Sequence, residues 1–111
     1  MAGCMEPFGE YIPKDGVTRI IISDDQTVKL YNGENLIYVG KFDNFDDLKG
    51  TEYHNYENAI FVKPKNTDQS YIAFHISDNC KSMKAFVHRM YLERFGGESP
   101  KLDAKIYWKN D

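Results

Sequence analysis

At 111 residues, 41% hydrophobic and 14% aromatic, the chain has enough apolar material for one modest core and too much for a disordered polymer at net charge −3. No run approaches 18 apolar residues, which excludes a helical membrane span within the sequence. Charge is uneven, with eleven Asp/Glu against five Lys/Arg over Met1 to Ile60 and six against nine over Phe61 to Asp111, and a bipolar molecule of this kind is suited to meeting other charged molecules.

Residues 1–16 mix Gly3, Gly9, Gly16, Pro7 and Pro13 without periodicity and read as an irregular N-terminal arm, leaving 17–111 as a single domain. Val17 to Ser23 is β-branched and stops at Asp24-Asp25. Thr27 to Tyr31 and Leu36 to Phe42 alternate on either side of Asn32-Gly33, a strong hairpin signal. These segments predict three antiparallel strands. A regular pairing puts Ile20, Ile22, Val28, Leu30, Ile37 and Val39 on the core face, and Arg19, Ile21, Lys29, Tyr31, Leu36 and Tyr38 on a half-apolar opposite face.

Asn44 to Gly50 has an Asn cap, early acids and a terminal Gly, which predicts one short helical turn. A polar loop through Asn58 follows. Ala59 to Lys63 and Tyr71 to Ile76 read as two more strands, joined by a Pro, Asn and Asp connection. Ser77, Asp78 or Asn79 then caps a predicted amphipathic helix over 79–95, with Met83, Phe86, Val87, Met90 and Tyr91 as its buried stripe and Gly96-Gly97 as its stop. Ala104 to Lys109 is a last strand, with Ile106 and Trp108 pointing opposite to Lys105, Tyr107 and Lys109. The expected fold is therefore α+β: an antiparallel sheet of five to six strands, ordered β-β-β-short helix-β-β-α-β, packed against one long amphipathic helix.

Four constellations are candidates for chemistry. Lys81, Lys84 and His88 share a predicted helix face flanked by Arg89 and Arg94; such a face is solvated, docks an acidic protein surface, or binds nucleic-acid phosphate. Cys80 in the first turn of that helix, five residues after His75, is either a small core residue or a nucleophile with a neighbouring base. Glu52 to Glu57, with His54, could offer metal ligands, although a solvated loop accounts for the same residues. Asp24, Asp25, Asp43, Asp46 and Asp47 fall at strand ends, where turn and cap chemistry explains them and phosphate mimicry is the sharper alternative.

Cys4 and Cys80 give neither a disulfide framework nor zinc spacing, so the expectation is reduced thiols in a cytoplasm. Met1-Ala2-Gly3-Cys4 also resembles the end of a bacterial lipobox, a resemblance that would make Cys4 a lipid anchor. Eleven Lys against three Arg, with abundant Asn, Ile, Tyr and Phe, suggest an AT-rich coding genome such as many bacteria and phages have.

The function expected from these features is a non-enzymatic protein-interaction module, an accessory or inhibitor protein that occludes or bridges a larger partner and uses no cofactor or metal. Its binding residues are Arg19, Ile21, Lys29, Tyr31, Leu36 and Tyr38 on the sheet and Lys81, Lys84, His88 and Arg89 on the helix. The partner is a protein, with an acidic surface favoured, or a second copy of the chain. A nucleic-acid-binding protein using the basic helix is the alternative, and a small enzyme with a Cys80/His75 site the third reading.

Overall fold

The computed structural model describes residues 4, 6–43, 59–86 and 97–110. They form an all-β closed barrel of eight antiparallel strands: β1 (Gly9–Ile12), β2 (Thr18–Ile22), β3 (Thr27–Asn32), β4 (Asn35–Asp43), β5 (Ala59–Pro64), β6 (Ile72–Ile76), β7 (Ser82–Phe86) and β8 (Ile106–Lys109). Each strand pairs with its sequence neighbours, and β8 returns to β1. Among the described residues every strand thus has a strand neighbour on both sides.

The α+β expectation is overturned, since no helix occurs among the described residues. Where the predicted helix should begin, Ser77 to Lys81 form a turn and residues 82–86 a strand; the remainder, 87–95, lies outside the described residues, as do the short helical turn at 44–50 and the polar loop after it. The cap chemistry is nonetheless real. Ser77 Oγ accepts from the N–H of Lys81 at 3.2 Å and of Ser82 at 3.1 Å, and Asn79 Oδ1 accepts from the N–H of Lys81 at 3.0 Å. These bonds tie a reversing turn in which Cys80 has φ 61°, a left-handed conformation that no helix interior tolerates. The following residues alternate, with Met83 and Ala85 buried between Ser82, which is partly exposed, and exposed Lys84. Helix propensity in Lys, Met and Ala yields to pairing on both sides, Ile76 with Met83 and Met83 with Tyr107.

The expected irregular arm also supplies a strand. β1 pairs Tyr11 with Ile20 and with Lys109, closing the barrel. Three tyrosines, Tyr11, Tyr38 and Tyr107, fill the interior with Phe74, Ile20, Ile22, Val28, Leu30, Val62, Ile72 and Met83. Each tyrosine tip is satisfied. Tyr11 OH reaches the carbonyls of Pro7 (3.1 Å) and Cys80 (3.2 Å), Tyr38 OH donates to the Ser70 carbonyl (2.9 Å), and Tyr107 OH donates to Thr18 Oγ1 at 2.6 Å, the Thr18 proton going to Asp103. Burial pushes the Tyr38 phenol well above its ordinary range and raises Tyr107 as well.

The expected core face of the second hairpin needs a correction. A bulge between Leu30 and Tyr31 in the β3/β4 register pairs Tyr31 with Leu36 but Leu30 with Tyr38, leaving Ile37 over. Tyr38 and Gly40 therefore point inward, and Ile37 and Val39 are only partly buried. The turn itself is Gly33-Glu34, with positive φ (64°) at Gly33 alone, the pattern of a II′ turn.

Cys4 and Cys80 are joined in a disulfide with Cα atoms 5.1 Å apart. The expectation of two reduced thiols is overturned, and with the Cys4 sulfur bonded to Cys80 it has no thiol to carry a lipid.

Candidate functional site

Alternation on a barrel wall sorts the side chains into interior and exterior. Of the six sheet residues expected to share a binding face, five do so on the outside of β2, β3 and β4. Register aligns them in two rows: Arg19, Tyr31 and Leu36 are consecutive cross-strand partners, as are Ile21, Lys29 and Val39. Tyr38 is the exception. It is 2% exposed and belongs to the core, because the bulge reverses its direction.

Arg19 is held in place from three sides. Nη1 donates to Glu10 Oε2 at 2.6 Å, Nη2 donates to the Gly33 carbonyl at 3.3 Å, and the guanidinium carbon lies 4.8 Å from the Tyr31 ring centroid. Its cation is thus largely committed, and stacking on Tyr31 makes a firm, flat aromatic surface. Glu10 also accepts from the Asn110 amide at 2.8 Å. That bond, and next the bond from Arg19, hold the Glu10 carboxyl below its usual range. Beside this fixed group Leu36 is 48% exposed, while Lys29, Ile21 and Tyr31 are partly exposed. A rigid aromatic next to exposed aliphatics is the composition that interface centres favour.

The Glu10 brace was not legible in the sequence, since Glu10 sits in a segment read as irregular. A second exterior feature was legible in part. Ile106 (46% exposed) and Trp108 (40%) do point outward from β8, and the Lys14 ammonium lies 5.0 Å from the Trp108 ring centroid.

Of the basic residues assigned to the expected helix, only Lys81 and Lys84 are among the described residues, and they lie on no helix. Lys84 is exposed on β7 opposite Ile106, and Lys81 is exposed in the preceding turn. His88, Arg89 and Arg94 lie outside the described residues. The nucleophile reading fails because Cys80 is spent in the disulfide and His75 stands exposed on the outer side of β6. Residues 52–57 lie outside the described residues, and among the described ones no three His, Cys, Asp or Glu side chains gather to hold a metal ion. The acids at the strand ends resolve in part: Asp25 Oδ1 accepts from the Thr27 N–H at 2.9 Å, a local turn role whose bond lowers its carboxyl pKa. Asp46 and Asp47 lie outside the described residues.

The chain matches no protein-family model, no curated protein and no solved structure.

Proposed function

We propose that this barrel is a non-enzymatic protein-binding module whose contact surface is the outer wall of β2, β3 and β4. One observation carries the reading: Tyr31 and Leu36, directly paired and at the surface, continue the row of an Arg19 that is already braced by Glu10 and Gly33. A preorganised aromatic and aliphatic patch loses little side-chain entropy on docking. The interior supports the same reading, since fully buried Tyr, Phe and Ile side chains occupy the space a carrier barrel reserves for a ligand. Lys29, in the second row, favours a partner with acidic groups at the rim.

The Cys4–Cys80 bond favours an oxidising compartment over a reducing cytoplasm, because thiol buffers keep cytosolic cysteines reduced. No described helix is long and apolar enough to cross a membrane.

The test is affinity capture from the native host with wild-type protein and with a Tyr31→Ala/Leu36→Ala variant in parallel, followed by calorimetry on the purified captured species. The wall reading predicts roughly a thirtyfold or greater loss of affinity in the variant, the effect of one interface hot spot. Equal affinity of the two proteins contradicts it.

A further inference from the structure

Next to that wall, where β5 leaves β4, Thr27, Val39, Gly40, Lys41, Lys63, Pro64 and Lys65 line a cleft of about 470 Å³. Its construction is specific. Gly40 lets the strands close in, since a Cβ there would meet the Lys63 carbonyl oxygen at 2.5 Å and Val62 Cγ1 at 2.7 Å. The Lys65 N–H donates to the Val39 carbonyl at 2.8 Å, which holds the third lysine at the rim after β5 has ended.

Lys41 and Lys63 are direct cross-strand partners, both exposed on the outer side. Like charges in that relation destabilise a sheet. Among the described residues neither Lys63 nor Lys65 has an ion-pair partner, and the carboxylate acting on Lys41, that of Asp25, is engaged by the Thr27 N–H. The side chains of Lys41, Lys63 and Lys65 thus line the cleft together with part-exposed Val39, while buried Gly40 and Pro64 close its base, and among the described residues only Lys41 has a carboxylate, that of Asp25, acting on it. Volumes of a few hundred Å³ with apolar lining and a few charged groups are the dimensions of small-molecule sites.

We propose that this cleft binds a small amphiphilic carboxylate: an apolar chain or ring lies on Val39 and the aliphatic stems of the lysines while its carboxylate sits among the Lys41, Lys63 and Lys65 ammonium groups. The anion relieves the repulsion between Lys41 and Lys63, and the apolar body displaces water from the cleft. This site adjoins the wall of β2 to β4 and shares Val39 of its second row, but it does not use Arg19, Tyr31 or Leu36 and stands whether or not they dock a protein.

Decanoate is the probe, titrated into the ¹⁵N-labelled full chain with its disulfide intact, with decanamide as the uncharged isostere and inorganic phosphate as the bare anion. The expected result is saturable shifts centred on Thr27, Val39 to Lys41 and Lys63 to Lys65, weakened by 0.5 M salt. Lys41→Gln with Lys63→Gln should reduce decanoate affinity about tenfold or more while leaving the melting temperature unchanged or higher. Decanamide should bind more weakly than decanoate, and phosphate should not reproduce the shifts at equal concentration. No saturation in the millimolar range, shifts centred elsewhere, equal binding of decanamide, equal binding of phosphate, or binding only to anionic vesicles would each overturn the proposal. The salt and decanamide comparisons hold even if the double variant fails to fold.

Discussion

Leu30 of β3 lies directly across from Tyr38 of β4, and the residue between the flanking pairs, Ile37, has no partner. One extra residue reverses the direction of every side chain beyond it. That reversal brings Tyr38 into the barrel beside Val28 and Leu30 and sends Val39 to the outer wall. It also removes from the outer surface a tyrosine that a regular ladder would have displayed there.

The register can be read from two truncations. Tyr38→Ala should cost about 3 kcal/mol or more, because it empties a core position and strands the Ser70 carbonyl it bonds. Val39→Ala should cost less than about 1 kcal/mol. Urea unfolding of the two variants decides the matter, since a regular ladder reverses their order.

The Cys4–Cys80 bond closes a sequence separation of 76 residues and pins the N-terminal segment to the turn between β6 and β7. Reduction should remove roughly 2–4 kcal/mol of stability by freeing the unfolded chain. Denaturant midpoints with and without dithiothreitol measure this, and a Cys4→Ser/Cys80→Ser variant should no longer respond to the reductant. Two titratable thiols in the native oxidised protein would contradict the bond.

Asp103 clasps the start of β2. Its carboxylate accepts from the Val17 N–H at 2.5 Å, from the Thr18 N–H and from the Thr18 hydroxyl. The Thr18 hydroxyl bond, and next the Val17 N–H, hold its pKa below the ordinary carboxylate value. The unfolded chain therefore takes up the proton first on acidification. The contribution of Asp103 is complete above the unfolded pKa, about 4, and is lost as pH falls through the lower folded pKa. Melting temperature should accordingly fall more steeply below about pH 4 in the wild type than in Asp103→Asn. Glu10 and Asp25 are shifted in the same direction and remain in both proteins, so the difference between the two curves isolates Asp103.

Much of the barrel was legible where local signals and tertiary pairing agree. Strands β2 to β6 and β8 follow alternation and turn residues, and five members of the β2 to β4 face, Arg19, Ile21, Lys29, Tyr31 and Leu36, share one wall as their spacing implies. Tyr38 was not legible, because nothing in Leu36-Ile37-Tyr38 announces a bulge. β7 was hidden by residues that favour helix in isolation, and the cap residues Ser77 and Asn79 make the same bonds at a tight turn as at a helix start. β1 was masked by its Gly and Pro neighbours. Its strand character comes from β2 and β8, which lie on either side of it. Two cysteines 76 residues apart carry no spacing signal at all.

Exposed Gly33 offers a local check on the hairpin. It has φ 64°, and a Cβ added there would meet no atom within 4 Å, so Gly33→Val introduces backbone strain without a packing clash. The expected cost is roughly 1 kcal/mol by thermal unfolding, and unchanged stability would place the positive φ elsewhere.

The most direct measurement of the central claim is site-specific photocrosslinking in the native host, with a benzophenone side chain at Tyr31 on the proposed wall or at His75, exposed on β6 three strands away. The account predicts one discrete crosslinked protein from position 31, competed away by unlabelled wild type and absent from position 75. The same adduct from both positions, or an adduct from position 75 alone, would contradict it.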